Sequence, residues 1–162
     1  IGRTFQIVKP FAGLSVLDNV IVGALQRTAS VGDARRHANA ILDKLGLGAK
    51  RALPASSLTL PERKRLEVAR ALATRPRLLL LDEVMAGLRP TECDQMVEVF
   101  RELNSRDGLT IVLIEHVMRA VMALAQHIVV LHHGEIIARG APAEVVRDPA
   151  VLECYLGEEV EV

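Results

Sequence analysis

The sequence predicts an α/β fold in which a parallel sheet core carries an α-helical subdomain, and three observations support that reading. Apolar residues in the first half of the 162-residue chain recur at mixed three- and four-residue spacing. Leu78-Leu79-Leu80-Leu81 is a short continuous apolar run that ends in Asp82-Glu83, as expected of a strand buried on both faces of a parallel sheet. A helical pattern and a second such run, Leu109 to Ile114, follow it, and this alternation implies right-handed βαβ units. Hydrophobic residues make up 50% of the chain, ample for the core of one ordinary domain.

The elements follow in order. After the breakers Pro10 and Gly13, Ser15 to Leu25 has the spacing of an amphipathic helix. Asp33 to Leu47 predicts a second helix, with Asp33 as N-cap, a stripe of Ala40, Ile41, Leu42 and Leu45, and Gly46 and Gly48 as the stop. Pro61 suits a first helical turn and begins a third helix that runs through Leu72, ahead of the Arg75-Pro76 break. Beyond the first strand run, Thr91 to Ser105 predicts a helix, as does Val117 to Ala125 after the second run. His127 to Leu131 and Glu135 to Arg139 form a hairpin around His132-His133-Gly134. Short helices at Ala143 to Arg147 and Ala150 to Leu156 complete the pattern.

Charge and composition narrow the function. Twenty basic residues balance 20 acidic ones, so no global field draws the chain to nucleic acid or to an anionic membrane. Aromatic content is 2% with no Trp, which removes the stacking platforms of single-strand binders; no nucleic acid is expected as a partner. Cys93 and Cys154 belong to no ligand pattern and read as reduced thiols of a cytosolic protein. No signal-peptide pattern opens the chain, and its most apolar stretch, Ala120 to Leu131, is too short to span a bilayer. The start at Ile1 without Met and the acidic tail Glu158 to Val162 read as a truncated beginning and a natural end.

The strongest chemical signal is Asp82-Glu83. A buried strand ending in two adjacent carboxylates presents them at the carboxyl edge of the sheet, where α/β proteins bind ligands. Alternate side chains face opposite ways, so one carboxylate can serve a metal and the other an attacking water, the Walker-B arrangement of P-loop NTPases. A strand followed by a helix-capping acid is the other reading of these residues. His116 leaves the next predicted strand on the same edge, where a neutral imidazole can bond a terminal phosphate oxygen; alone it would read first as a solvated histidine at a helix start, and sharing the edge with the carboxylates reverses that preference.

Gln6, the segment Leu58 to Leu72, Leu78 to Glu83, Ala86-Gly87-Leu88-Arg89-Pro90 and His116 resemble, in order and spacing, the Q-loop, signature, Walker B, D-loop and switch histidine of ABC ATPases. Val129 to Glu144 is similar to that family's C-terminal hairpin and following helix. Within the family, Ala86-Gly87-Leu88 with Pro90, Arg65-Leu66-Glu67 and Ile114-Glu115-His116 look like the ATP-binding subunits of branched-chain amino-acid importers.

The resemblance implies ATP and Mg²⁺ as cofactors. It places Glu83 and His116 in catalysis, and Gln6, Thr59, Leu60, Pro61, Glu62 and Gly87 against nucleotide, with Gln6 and Asp82 serving Mg²⁺ partly through water. Its implied partners are transmembrane permease subunits, a second ABC ATPase subunit and, indirectly, a substrate-binding protein. The implied location is the cytoplasmic face of the cell membrane, held through the permease. Residues 1–10 would hold the Q-loop and strand end, 11–75 the helical subdomain with the signature, and 76–162 a RecA-like core.

Three departures accompany it. No G-x-x-x-x-G-K-[ST] loop occurs in the chain, so this segment by itself is expected to be inactive. The family's Ser-Gly-Gly-Gln reads Thr59-Leu60-Pro61-Glu62, in which Pro61 lacks an amide donor and Glu62 adds negative charge near a phosphate. Arg89 stands where the family often has Asp. Two other functions fit the same residues: a degenerate partner subunit in an ABC heterodimer, and a non-transport ABC ATPase.

Overall fold

The computed structural model describes residues 1–157, so the acidic tail at Glu158 to Val162 lies outside the described residues. The chain divides into two compact units, residues 1–120 and the segment from Val121 onward.

In the first unit, β1 (Gly2–Arg3), β2 (Leu78–Asp82) and β3 (Thr110–Ile114) form a sheet of order β1-β2-β3. Both pairings are parallel: Gly2 stands opposite Leu79, and β2 matches β3 from Leu78–Thr110 through Asp82–Ile114. The central strand is the Leu78–Leu81 run. Leu79 and Leu81 are buried, whereas Leu78 and Leu80 on the other face are half-buried, so the expectation of complete burial holds for one face only.

Between β1 and β2 lie α1 (Val16–Ala24), α2 (Val31–Lys44) and α3 (Leu60–Ala73), which pack on one another through Val16, Val20, Ala34, Leu42, Leu66 and Ala69. Ser15 caps α1 by accepting the Asp18 amide at 3.0 Å. The cap of α2 corrects the sequence reading. Ser30, not Asp33, occupies the N-cap and accepts the Asp33 amide at 3.2 Å. Asp33 sits in the first turn, where its carboxylate meets the positive end of the helix dipole. At the other end Gly46 takes φ +69°, the left-handed conformation that stops the helix. Two short 3₁₀ turns, Gly48–Lys50 and Ala55–Ser57, link α2 to α3; no apolar period announces elements so short.

The helix α4 (Pro90–Ser105) joins β2 to β3 and buries Cys93, Met96, Val97, Phe100 and Leu103, the three- and four-residue recurrence of one helix face. The helix α5 (Met118–Leu124) follows β3.

The second unit is built on the antiparallel hairpin of β4 (Ile128–His132) and β5 (Glu135–Gly140). Its two-residue loop, His133-Gly134, has φ +47° and +85°, the paired positive angles of a type I′ turn, whose twist matches the strands. Ile137 is an extra residue in β5, since Val130 pairs with Ala138 and Leu131 with Ile136. Ala138 packs with Val145 of α6 (Pro142–Val145) and Val151 of α7 (Pro149–Gly157).

The packing makes a direct prediction. Leu66→Ala, at a site without solvent exposure, lowers unfolding free energy by about 2–5 kcal/mol. Val22→Ala, on the exposed side of α1, changes it by no more than about 0.5 kcal/mol. Denaturant titration of both variants checks this; equal losses would count against the described core.

Candidate functional site

The carboxyl edge of the sheet is organised around the residue that leaves β2. Glu83 has φ +46°, in the left-handed region that a non-glycine residue occupies at a cost of about 1–3 kcal/mol unless its surroundings enforce it. They do so from three sides. The Glu83 amide donates to the Ile114 carbonyl at 2.9 Å, the Glu83 carbonyl accepts from Lys64 Nζ at 2.9 Å, and its carboxylate Oε2 accepts from Gln6 Nε2 at 2.5 Å. Gln6 and Glu83, 77 positions apart in the chain, therefore meet directly.

Asp82 is held separately. Its amide donates to Thr4 Oγ1 at 3.1 Å, and its Oδ2 lies 3.3 Å from Arg3 Nη2. Thr4 is fully buried and also donates its amide to the Leu80 carbonyl at 3.0 Å, extending the pairing of the first strand past Arg3. The Gln6 loop is pinned beyond its tip as well. Asn19 of α1 bonds both the amide and the carbonyl of Phe11, at 2.9 and 3.1 Å, and Arg70 of α3 lies over the Phe11 ring with its guanidinium 4.8 Å from the centroid.

His116 stands two residues beyond Ile114, the partner of Asp82 across β2 and β3, so its backbone shares the edge with both carboxylates. Its ring is exposed and makes no hydrogen bond among the described residues. The intervening Glu115 accepts the Met85 amide at 2.6 Å, and its second oxygen is buried without a partner among the described residues. That contact fixes the turn between Glu83 and Pro90. In this turn Gly87 takes φ +75°, and a Cβ there would lie 3.3 Å from Leu60 Cδ2; the glycine lets the turn approach the start of α3 within one chain.

Thr59, Leu60, Pro61 and Glu62 make up the N-terminus of α3. Thr59 is the N-cap and Pro61 sits in the first turn, where its missing amide interrupts no intrahelical bond. Glu62 accepts the Thr59 amide at 3.0 Å and receives Lys50 Nζ at 2.5 Å. The hydrogen bond from Lys50 is the main cause that lowers the Glu62 pKa; burial opposes it, and the Thr59 amide adds to the lowering. The negative charge expected from Glu62 thus has a counter-charge in its own chain.

No cluster of three or more His, Cys, Asp or Glu side chains suited to a metal ion occurs among the described residues. The oxygen donors that face the edge are few. Gln6 turns its amide nitrogen to Glu83, which leaves its carbonyl oxygen as an unengaged acceptor. Such a sparse all-oxygen set fits Mg²⁺, which keeps several waters and is shared with substrate phosphates.

Sequence reasoning missed Lys64, Thr4 and Glu115. Lys64 lies in the run Arg63-Lys64-Arg65. Its signal was spacing: Lys64, Glu67, Val68 and Ala71 stand at i, i+3, i+4 and i+7, and all four are buried. Burial of Glu67 raises its pKa, although Arg70 lies 2.8 Å away and opposes the shift.

Comparison with known proteins places this geometry. A family model described as ABC transporter matches residues 1–86, and one described as branched-chain amino acid ATP-binding cassette transporter matches residues 135–161. The high-affinity branched-chain amino acid transport ATP-binding protein LivG of Salmonella typhimurium (strain LT2) is 36% identical over 96% of this chain and 67% of its own length. The chain belongs to the ABC transporter family.

The lipopolysaccharide export system ATP-binding protein LptB of Acidithiobacillus ferridurans is 33% identical to this ABC chain over its whole length and 67% of LptB. The ADP conformation of an ATP-binding cassette of an ABC transporter superposes with a TM-score of 0.82 at 29% identity, covering 96% of this chain and 68% of the other. The chain thus spans about two thirds of the length of these relatives. Membership in the family implies ATP binding and hydrolysis as its chemistry, and the parallel sheet with its helices is the family's α/β fold.

The Lys50–Glu62 pair carries a pH prediction. Because the folded-state pKa of Glu62 lies below its ordinary value of 4.5, the stability it contributes is complete above about pH 4.5 and is lost as pH falls through the lowered folded value. Lys50→Met removes the main cause, so the variant loses less stability than the wild type on acidification. Denaturation midpoints measured down to about pH 3 check this, and parallel profiles would rule the pair out as the source.

Proposed function

We propose that the chain is the catalytic-edge part of an ATP-hydrolysing ABC transporter subunit that powers uptake of branched-chain amino acids. The observation that carries the reading is the hydrogen bond from Gln6 Nε2 to Glu83 Oε2, beside Asp82 on the carboxyl edge of the sheet. Glu83 is suited to accept a proton from water as the general base, since its carboxylate is held by a donor rather than by a cation. Gln6 senses whether that position is engaged. His116, free of other bonds on the same edge, is positioned in sequence to bond a terminal phosphate oxygen. Asp82 and Gln6 would hold Mg²⁺, which supplies charge neutralisation to the phosphates when bound.

Residues 1–10 then serve as Q-loop and strand end, 11–75 as the helical subdomain and 76–162 as the catalytic core. An upstream segment would supply the phosphate-gripping loop that these residues lack. The exposed Phe5, Ile7 and Phe11 around Gln6 suit contact with a permease, and Thr59 to Glu62 and Gly87 suit contact with nucleotide held by a second ATPase subunit. No helix among the described residues is long and apolar enough to cross a membrane. Attachment through the permease at the cytoplasmic face rests on the likeness to LivG. The amino-acid substrate, its import and an associated substrate-binding protein rest on the likeness to LivG and on the family model at residues 135–161.

A second reading is favoured by Pro61, which withholds one amide from the start of α3. It makes the subunit a weakly active partner in a heterodimer. Turnover by the purified homodimer against that of a mixed dimer separates the two readings.

In the complete protein, Glu83→Gln is expected to reduce steady-state ATP hydrolysis by about 100-fold or more while ATP binding persists. Unchanged turnover would overturn the assignment.

A further inference from the structure

Lys64 is 5% exposed and forms no ion pair with a carboxylate among the described residues. A buried ammonium without an anionic partner is retained only where other acceptors replace its water. Here they are two backbone carbonyls: that of Glu83 at 2.9 Å and that of Gln6 at 3.5 Å. One side chain of α3 thus touches the main chain of both residues whose side chains bond each other on the catalytic edge. Its stem starts four residues after Leu60, at the head of the same helix that faces Gly87.

We propose that Lys64 is a positioning residue for hydrolysis, holding the carbonyls of Glu83 and Gln6 so that the start of α3 sets the orientation of the general base. This rests on the ATPase reading given above. The Glu83 backbone is in the left-handed region, a conformation that reverts readily once its restraints are removed. Of its three restraints, the Ile114 contact belongs to the sheet and the Gln6 contact to the loop. Lys64 alone among them ties Glu83 to α3. A shift or rotation of α3 is therefore transmitted to the Glu83 carbonyl, and through it to the carboxylate, without any contact between Lys64 and the substrate.

The test uses the complete protein with wild type, Lys64→Met, Lys64→Arg and Glu83→Gln measured together for kcat, KM for ATP, ADP affinity and thermal stability. Lys64→Met keeps the stem and removes the donors. It is expected to lower kcat by about 10- to 100-fold with KM and ADP affinity within about threefold of wild type. Lys64→Arg, which keeps donors for two carbonyls, is expected to recover most of that loss. A wild-type kcat in Lys64→Met overturns the proposal, as does a parallel loss of ADP affinity or an arginine variant no better than methionine. If Lys64→Met does not fold, Lys64→Gln replaces it, with the same expected drop in kcat at unchanged KM and the same overturning results. Hydrolysis that survives Glu83→Gln would instead sink the assignment of Glu83 as general base on which the proposal stands.

Discussion

Glu83 leaves the central strand with a positive φ, and the candidate site depends on that one backbone conformation being enforced. A residue of ordinary geometry at this point would continue the strand and carry its carboxylate away from Gln6. The restraint comes from three elements that are distant in sequence: the carbonyl of Ile114 in β3, the ammonium of Lys64 in α3 and the amide of Gln6 after β1. Each restrains a different atom of the same residue. The local cost of the conformation, about 1–3 kcal/mol, is of the same order as the net worth of the three contacts that hold it, about 0.5–1.5 kcal/mol each, so it persists only while they are in place.

The surrounding segments are arranged to keep those three elements in register. The parallel pairing of β2 with both neighbours sets the height of Asp82 against Ile114, and Thr4 closes the first strand against the Asp82 amide. Asn19 and Arg70 secure the far side of the Gln6 loop at Phe11, so the loop is bounded by the sheet at one end and by α1 and α3 at the other. Glu115 does the same for the turn after Glu83 by taking the Met85 amide. Polar side chains bonding to backbone thus shape the site more than contacts among its functional groups do.

The altered start of α3 is chemically self-consistent. Proline in the first turn withholds an amide that no intrahelical bond requires, and the carboxylate of Glu62 is compensated by Lys50 and by the Thr59 amide. Charge balance within the chain explains how an acid can stand at the start of this helix. The likeness to LivG, to LptB and to an ADP-bound cassette supports the same family and fold while leaving import of a particular amino acid to experiment.

The sequence by itself determined the α/β class, the order of strands and helices, the hairpin at His133-Gly134 and the identity of Asp82, Glu83, His116 and Gln6 as the residues of interest. These are legible because apolar periodicity, turn chemistry and motif spacing are local properties of the chain. It could not place the cap of α2, where Ser30 and Asp33 are both chemically suitable and only the path of the preceding loop decides between them. Nor could it find Thr4 or Glu115, or the partners of Lys64; all three side chains bond backbone atoms of segments up to 78 positions away. A side chain's partner in such a bond has no signature in its own neighbourhood. The conformation of Glu83 was hidden for the same reason: it is a consequence of contacts from three separate elements, and only the folded chain brings those three to one point.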